Sequence, residues 1–160
     1  MSAIEKRIAE LGLYIPGEPI LPPGLELLFP WVNVRGHRAF ISGHAAQNAD
    51  GSMSGPFGQV GKEVTVEEAV ELAKKTALAM LGSLHRELGD LDRISGWGKA
   101  FGMVNAVPGF EAHPTVINGF SKVILDVFGP DIGRHSRSAV GMGSLPMNFA
   151  VEIEAEVLID

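Results

Sequence analysis

Residues 136–158 read SRSAVGMGSLPMNFAVEIEAEVL, and the alternation inside this stretch decides the architecture. A strand sends successive side chains to opposite faces. Val151, Ile153, Ala155 and Val157 therefore share one face, and Glu152, Glu154 and Glu156 share the other. The first face is core and the second is acidic. Before the Leu145-Pro146 turn, Ser136, Ser138, Val140 and Met142 fall on one side, so Arg137 points the other way beside Ala139 and Gly141. Small neighbours leave room for a ligand against the guanidinium. Strands are expected over 136–142 and 150–158.

Upstream, Thr65 and Glu68 have the spacing of a capping box, and Val66, Ala69, Val70, Ala73, Ala77, Met80, Leu81, Leu84 and Leu88 continue as a helical stripe up to Gly89. A second amphipathic helix is expected over 115–128, and a strand interrupted by glycines over ISGWGKAFGMVNAV. WVNVRGHRAFISG gives two β-branched and aromatic runs around Gly36-His37, the pattern of a hairpin. At the start, Ser2 and Glu5 form another capping box, Ile4, Ile8 and Leu11 recur at helical intervals, and Gly12 terminates the helix. Prolines at 16, 19, 22 and 23 deny the next segment both helix and inner strand. It reads as an extended strap whose apolar members pack on the body. The resulting ββαβαββ order, with one apolar stripe per helix, implies a two-layer α+β sandwich with the helices on one face of a mixed sheet.

The 160 residues suit one domain, 1–160, with 1–20 as an N-terminal helix and proline-rich strap. No stretch approaches the roughly 18 uninterrupted apolar residues of a membrane span, so no membrane partner is expected. MSAIEKRIAE carries charge throughout and does not resemble a secretory signal, which points to a cytoplasmic protein. The absence of cysteine removes disulfides, thiolate nucleophiles and cysteine zinc sites. A net charge of −6 without a basic run argues against nucleic acid. His37, His44, His85 and His113 show no short ligand spacing, so no metal is expected. The glycines of GWGKAFG (96–102) miss the dinucleotide fingerprint by one residue and fit close strand packing better. GMGSLP lacks the spacing of a nucleophile elbow.

The run RSAVGMGSLPMNFAVEIEA (137–155) closely resembles the C-terminal signature of the reactive-intermediate deaminase (Rid, YjgF-type, "L-PSP endoribonuclease") family, as a divergent branch. GHRAFISG (36–43) is similar to the family's hairpin, and GDLDRI (89–94) to its helix exit; the chain before about residue 20 lies outside the resemblance. The resemblance implies a chorismate-mutase-like fold and a homotrimer with ligand sites between subunits. It makes Arg137 the residue that grips a substrate carboxylate and Glu152 the carboxylate that positions the attacking water. Asn118 and Ser42 match polar wall positions, while Phe29 stands where the family has a pocket tyrosine and Ala139 where it has a small thiol. The sheet face carrying Glu152, Ala139 and Gly141 is expected to lack helices and to meet the other subunits of a closed three-fold ring.

Spacing alone leaves Arg137 open to a structural ion pair with one of the three glutamates, whereas the signature favours a ligand carboxylate, which a planar guanidinium binds through two charge-assisted hydrogen bonds. Glu152 can serve as a base if burial or Glu154 raises its pKa. His135, two residues before Arg137, shares its face and is a candidate acid or ligand donor, or a capping histidine. Two functions follow: a cofactor-independent imine deaminase releasing ammonia and a keto acid, or a binding protein for a small carboxylate metabolite. Ribonuclease activity fits the charge least.

Overall fold

A computed structural model describes residues 1–160. Helix α1 (Ala3–Glu10) opens on the reciprocal Ser2/Glu5 capping box. The hairpin pairs β1 (Val32–Arg35) with β2 (Arg38–His44). Helix α2 (Val66–Leu88) opens on the Thr65/Glu68 box and stops where Gly89 turns left-handed. Strand β3 (Ile94–Asn105) leads into α3 (His113–Ile132), whose helical geometry breaks at Gly129-Pro130. Strands β4 (Ser136–Met142) and β5 (Val151–Ile159) complete the chain.

The sheet order is β1-β2-β5-β3-β4, antiparallel except for the β3–β4 pair. That parallel pair needs a crossover, and α3 supplies it. Val151, Ile153, Ala155, Val157 and Ile159 are buried as the alternation requires, and they join α2 and α3 in one cluster of 34 buried residues. The opposite sheet face carries no helix. On it Glu152 lies beside Met103, Glu154 beside Phe101, and Glu156 beside Lys99 and Phe40.

The crossover corrects one expectation. Because α3 runs along β4, it covers the odd positions of that strand: Arg137 bonds to α3, and a Cβ on Gly141 would stand 2.6 Å from His113 Nε2. Ala139 packs against the same core. Ala139 and Gly141 therefore lie on the helix side of the sheet with Arg137, and only Glu152 lies on the open face. Alternation says which residues share a face, but not which face the helices occupy. The strap also differs from its reading. Gly17 N–H donates to Ala49 O and Ile20 N–H to Gly51 O, both at 3.0 Å, yet Ile20 and Leu25 remain 57% and 45% exposed. Its apolar side chains are only partly packed on the body.

Candidate functional site

Strand β4 is a sheet edge, and at its start Arg137 reaches over α3. Its Nη1 donates to Ser121 Oγ at 2.9 Å and its Nη2 to the Pro114 carbonyl at 3.1 Å. Neither acceptor is charged, and no carboxylate pairs with Arg137 anywhere in the chain. Glu156 is taken by Arg38 instead. The structural ion pair that spacing left open is therefore absent. Burial pushes the guanidinium's pKa down, but it remains a cation at any ordinary pH. The rest of its fork is free for a planar anion.

His135 stands behind this contact. Its Nδ1 lies 2.7 Å from the Gly133 carbonyl, which can only accept, so Nδ1 carries the proton. Nε2 then accepts from the Ser121 hydroxyl at 2.9 Å, and the same Ser121 oxygen accepts from Arg137. Both ring nitrogens are occupied within the chain, so His135 orients Ser121 and through it the guanidinium. Phe120 packs edge-to-face on the imidazole and Trp97 lies tilted beside it. Asn118 is exposed on α3 at the i, i+4, i+7 spacing that joins Pro114, Asn118 and Ser121 on one helix face. Arg137, Asn118 and His135 thus belong to one surface, with Ala139 and Gly141 beside them.

Glu152 belongs to another. It projects from β5 on the open face, and burial, followed by the charge of Glu154, pushes its pKa up. No hydrogen bond or ion pair satisfies it within the chain. Gly43, where the β2–β5 register shifts, makes its position possible, because a Cβ there would stand 2.7 Å from Glu152 Oε1. Glu152 lies in a groove of about 270 Å³ whose walls come from the strap, from Trp31 and Met53, and from Met147 and Phe149 after the Leu145-Pro146 turn. Phe29 divides this groove from a shallower hollow of about 440 Å³ on the open sheet face, which Ser42, Phe101 and Glu154 line. Ser42 is committed to structure: its hydroxyl donates to Pro30 O at 2.8 Å and its amide to Trp31 O at 3.0 Å.

Arg137 and Glu152 are therefore not brought together in one chain. They sit on opposite faces of the sheet, with β3 between their strands. Nothing in the sequence pattern marked Ser121 as the partner of Arg137, because a helix serine at 16 residues' separation has no local signature. The Glu152 groove was equally hidden, since the strap carries no motif. No cluster of three or more His, Asp or Glu side chains is arranged to hold a metal.

The fold and these surfaces define a class, the chorismate-mutase-like α+β subunits with helices on one face of a mixed sheet. No family model matches the chain. Protein TCP17 of Trypanosoma cruzi is 40% identical over 122 residues, 76% of this chain and 75% of that protein. Atu1372 of Agrobacterium tumefaciens, whose function is unknown, superposes with a TM-score of 0.87 at 36% identity, over 98% of this chain and 92% of that one. A Shewanella oneidensis protein described as a candidate endoribonuclease also reaches 0.87, at 25% identity, over 98% and 99% of the two chains. The chain belongs to the Rid/YjgF family, whose solved structures include RidA of an Antarctic Psychrobacter, alike in fold with a TM-score of 0.54 and 15% identity over 89% and 94% of the chains.

Proposed function

We propose that the protein is a cofactor-independent deaminase that hydrolyses 2-imino acids to 2-keto acids and ammonia, at sites formed between subunits of a homotrimer. The observation that carries this reading is a pair of unsatisfied charges. Arg137 is half-buried, oriented by Ser121 and His135, and lacks an anion; Glu152 is half-buried with a raised pKa and lacks a cation or donor. Burying an unpaired charge is costly, so both groups call for partners from outside the chain. Because they lie on opposite faces, a single ligand meets both only where Arg137 of one subunit approaches Glu152 of the next.

In this reading the substrate carboxylate lies in the guanidinium fork, with Asn118 and Ser42 at the site's rim. Glu152 accepts a proton from water as the water oxygen bonds to C2 and the C=N π electrons move to nitrogen. The carboxyl then returns the proton to nitrogen, giving a carbinolamine. Glu152 next takes the hydroxyl proton and passes it to the amino nitrogen as the C=O bond forms and the C–N bond breaks, so ammonia leaves with a keto acid. A raised pKa suits a carboxylate that must both take and give a proton. The test is ammonia release from 2-imino acids generated in situ by an amino-acid oxidase. Wild type should accelerate it, and Glu152→Gln should lose turnover while still binding keto acid. If wild type gives no acceleration, the second reading takes over: a carboxylate-metabolite binding protein, favoured by Phe29 and Ala139, which bring neither hydroxyl nor thiol to the site.

A further inference from the structure

The strap is anchored at both ends and apolar between them. At its start Arg86 Nη1 donates to Pro16 O at 3.2 Å and Ile20 N–H to Gly51 O at 3.0 Å; at its end Ser42 holds Pro30 and Trp31. Between these anchors Leu21, Leu25, Leu27 and Phe29 line the groove that holds Glu152. Met53 and Met147, on the walls formed by the body, stay 37% and 46% exposed. Met147 is presented from a left-handed backbone, φ 53°, which a non-glycine residue adopts only under constraint. Apolar side chains gathered around an open groove mark a binding surface.

Charge determines which end of a ligand can enter. The groove's charged side chains are Glu26 and Glu152, with no Lys or Arg among its walls. A substrate carboxylate is repelled there, and the unpaired guanidinium lies elsewhere. The part of the ligand in the groove must be uncharged. At about 270 Å³ the groove holds the bulk volume of about nine waters, far more than a methyl group displaces.

We propose that the strap makes this groove a side-chain pocket, selecting 2-imino acids with large apolar side chains, of the branched aliphatic or aromatic kind, over the alanine-derived one. The proposal rests on the deaminase site above and names its substrate class. The carboxylate is held by Arg137, C2 stands at Glu152, and the side chain displaces loosely held water between the strap and Met53. Each buried methylene contributes about fourfold to discrimination, so three additional carbons give on the order of fiftyfold in kcat/KM.

The experiment compares imines generated from alanine, leucine and phenylalanine with wild type, Leu25→Ser and Met53→Ser, alongside melting temperature and sedimentation. Both positions are partly exposed, so the variants should fold. The expected result is a preference above tenfold for the leucine and phenylalanine imines, reduced at least fivefold in each variant. Equal kcat/KM across the three imines overturns the proposal. So does an unchanged preference in variants that remain folded and keep the wild-type oligomeric state. If no imine is hydrolysed, the deaminase reading fails separately, and calorimetry with pyruvate, 4-methyl-2-oxopentanoate and phenylpyruvate decides the groove. Tighter binding of the larger keto acids, weakened in Leu25→Ser, supports it; equal binding of all three overturns it.

Discussion

In the proposed deaminase Arg137 and Glu152 have opposite tasks, and each makes a distinct prediction. Lysine at position 137 keeps the charge but replaces a planar fork with a point donor. Keto-acid affinity in Arg137→Lys should fall about a hundredfold, the equivalent of about 2.7 kcal/mol, with melting temperature held, as measured by calorimetry near pH 7. Unchanged affinity in Arg137→Ala with folding intact would move the site elsewhere. For Glu152 the sign follows from its raised pKa. As a base it must be ionised, so kcat/KM should fall on acidification through a midpoint above the ordinary glutamate value. Stability runs the other way. Between the ordinary and the raised pKa the folded chain holds a proton that the unfolded chain has lost, so rising pH destabilises it there. Glu152→Gln removes that dependence and should be no less stable than wild type at pH 7.

At the scale of elements, a buried histidine joins α2 to β2. His44 Nδ1 lies 2.6 Å from the Ser42 carbonyl, and Nε2 lies 2.8 Å from Ser83 Oγ, which also accepts from Arg86 at 3.0 Å. The arrangement repeats the order Arg137, Ser121, His135 and a backbone carbonyl. Arg86 in turn grips the strap at Pro16, so this relay ties helix, strand and strap together. Burial, with a smaller contribution from the Arg86 charge, lowers the His44 pKa from 6.5 to about 4. Below the unfolded value the unfolded chain binds the extra proton, so the stability contributed by neutral His44 is lost as pH falls from about 6.5 towards about 4. A shift of this size corresponds to about 3 kcal/mol. Urea melts across that window should show wild type losing more stability than His44→Gln; parallel curves would contradict the assignment.

At the scale of the whole molecule, the unsatisfied groups imply that one chain holds two halves of different sites. The open sheet face, with Phe40, Phe101 and Glu154 uncovered by helices, is the surface a second subunit would cover. Sedimentation should give a trimer at micromolar concentration. Mixing decides the rest. Subunits carrying Arg137→Ala and subunits carrying Glu152→Gln are each inactive, but reassembled in equal amounts they should recover about a quarter of wild-type turnover, because every mixed three-membered ring contains one junction with both residues intact. No recovery from mixed rings would rule out a site shared by Arg137 of one subunit and Glu152 of its neighbour.

Both capping boxes, the hairpin at Gly36-His37, the long helix and the alternation of β5 were readable because their signals are local: caps act within one turn, and strand periodicity spans a few residues. The unpaired state of Arg137 was only one of two readings until α3 was in place. Non-local geometry remained hidden. That α3 covers the side of β4 bearing Arg137, Ala139 and Gly141, while Glu152 faces away, follows from the parallel β3–α3–β4 crossover, and no window of sequence contains both ends of that packing. The strap's proline spacing excluded helix and inner strand, yet what it encloses depends on hydrogen bonds to Ala49 and Gly51 and on the Arg86 side chain, dozens of residues away. Which residues alternate, cap and turn was legible from the chain, since bonded neighbours impose those choices. Which charges found partners was not, because that depends on distances across the folded molecule.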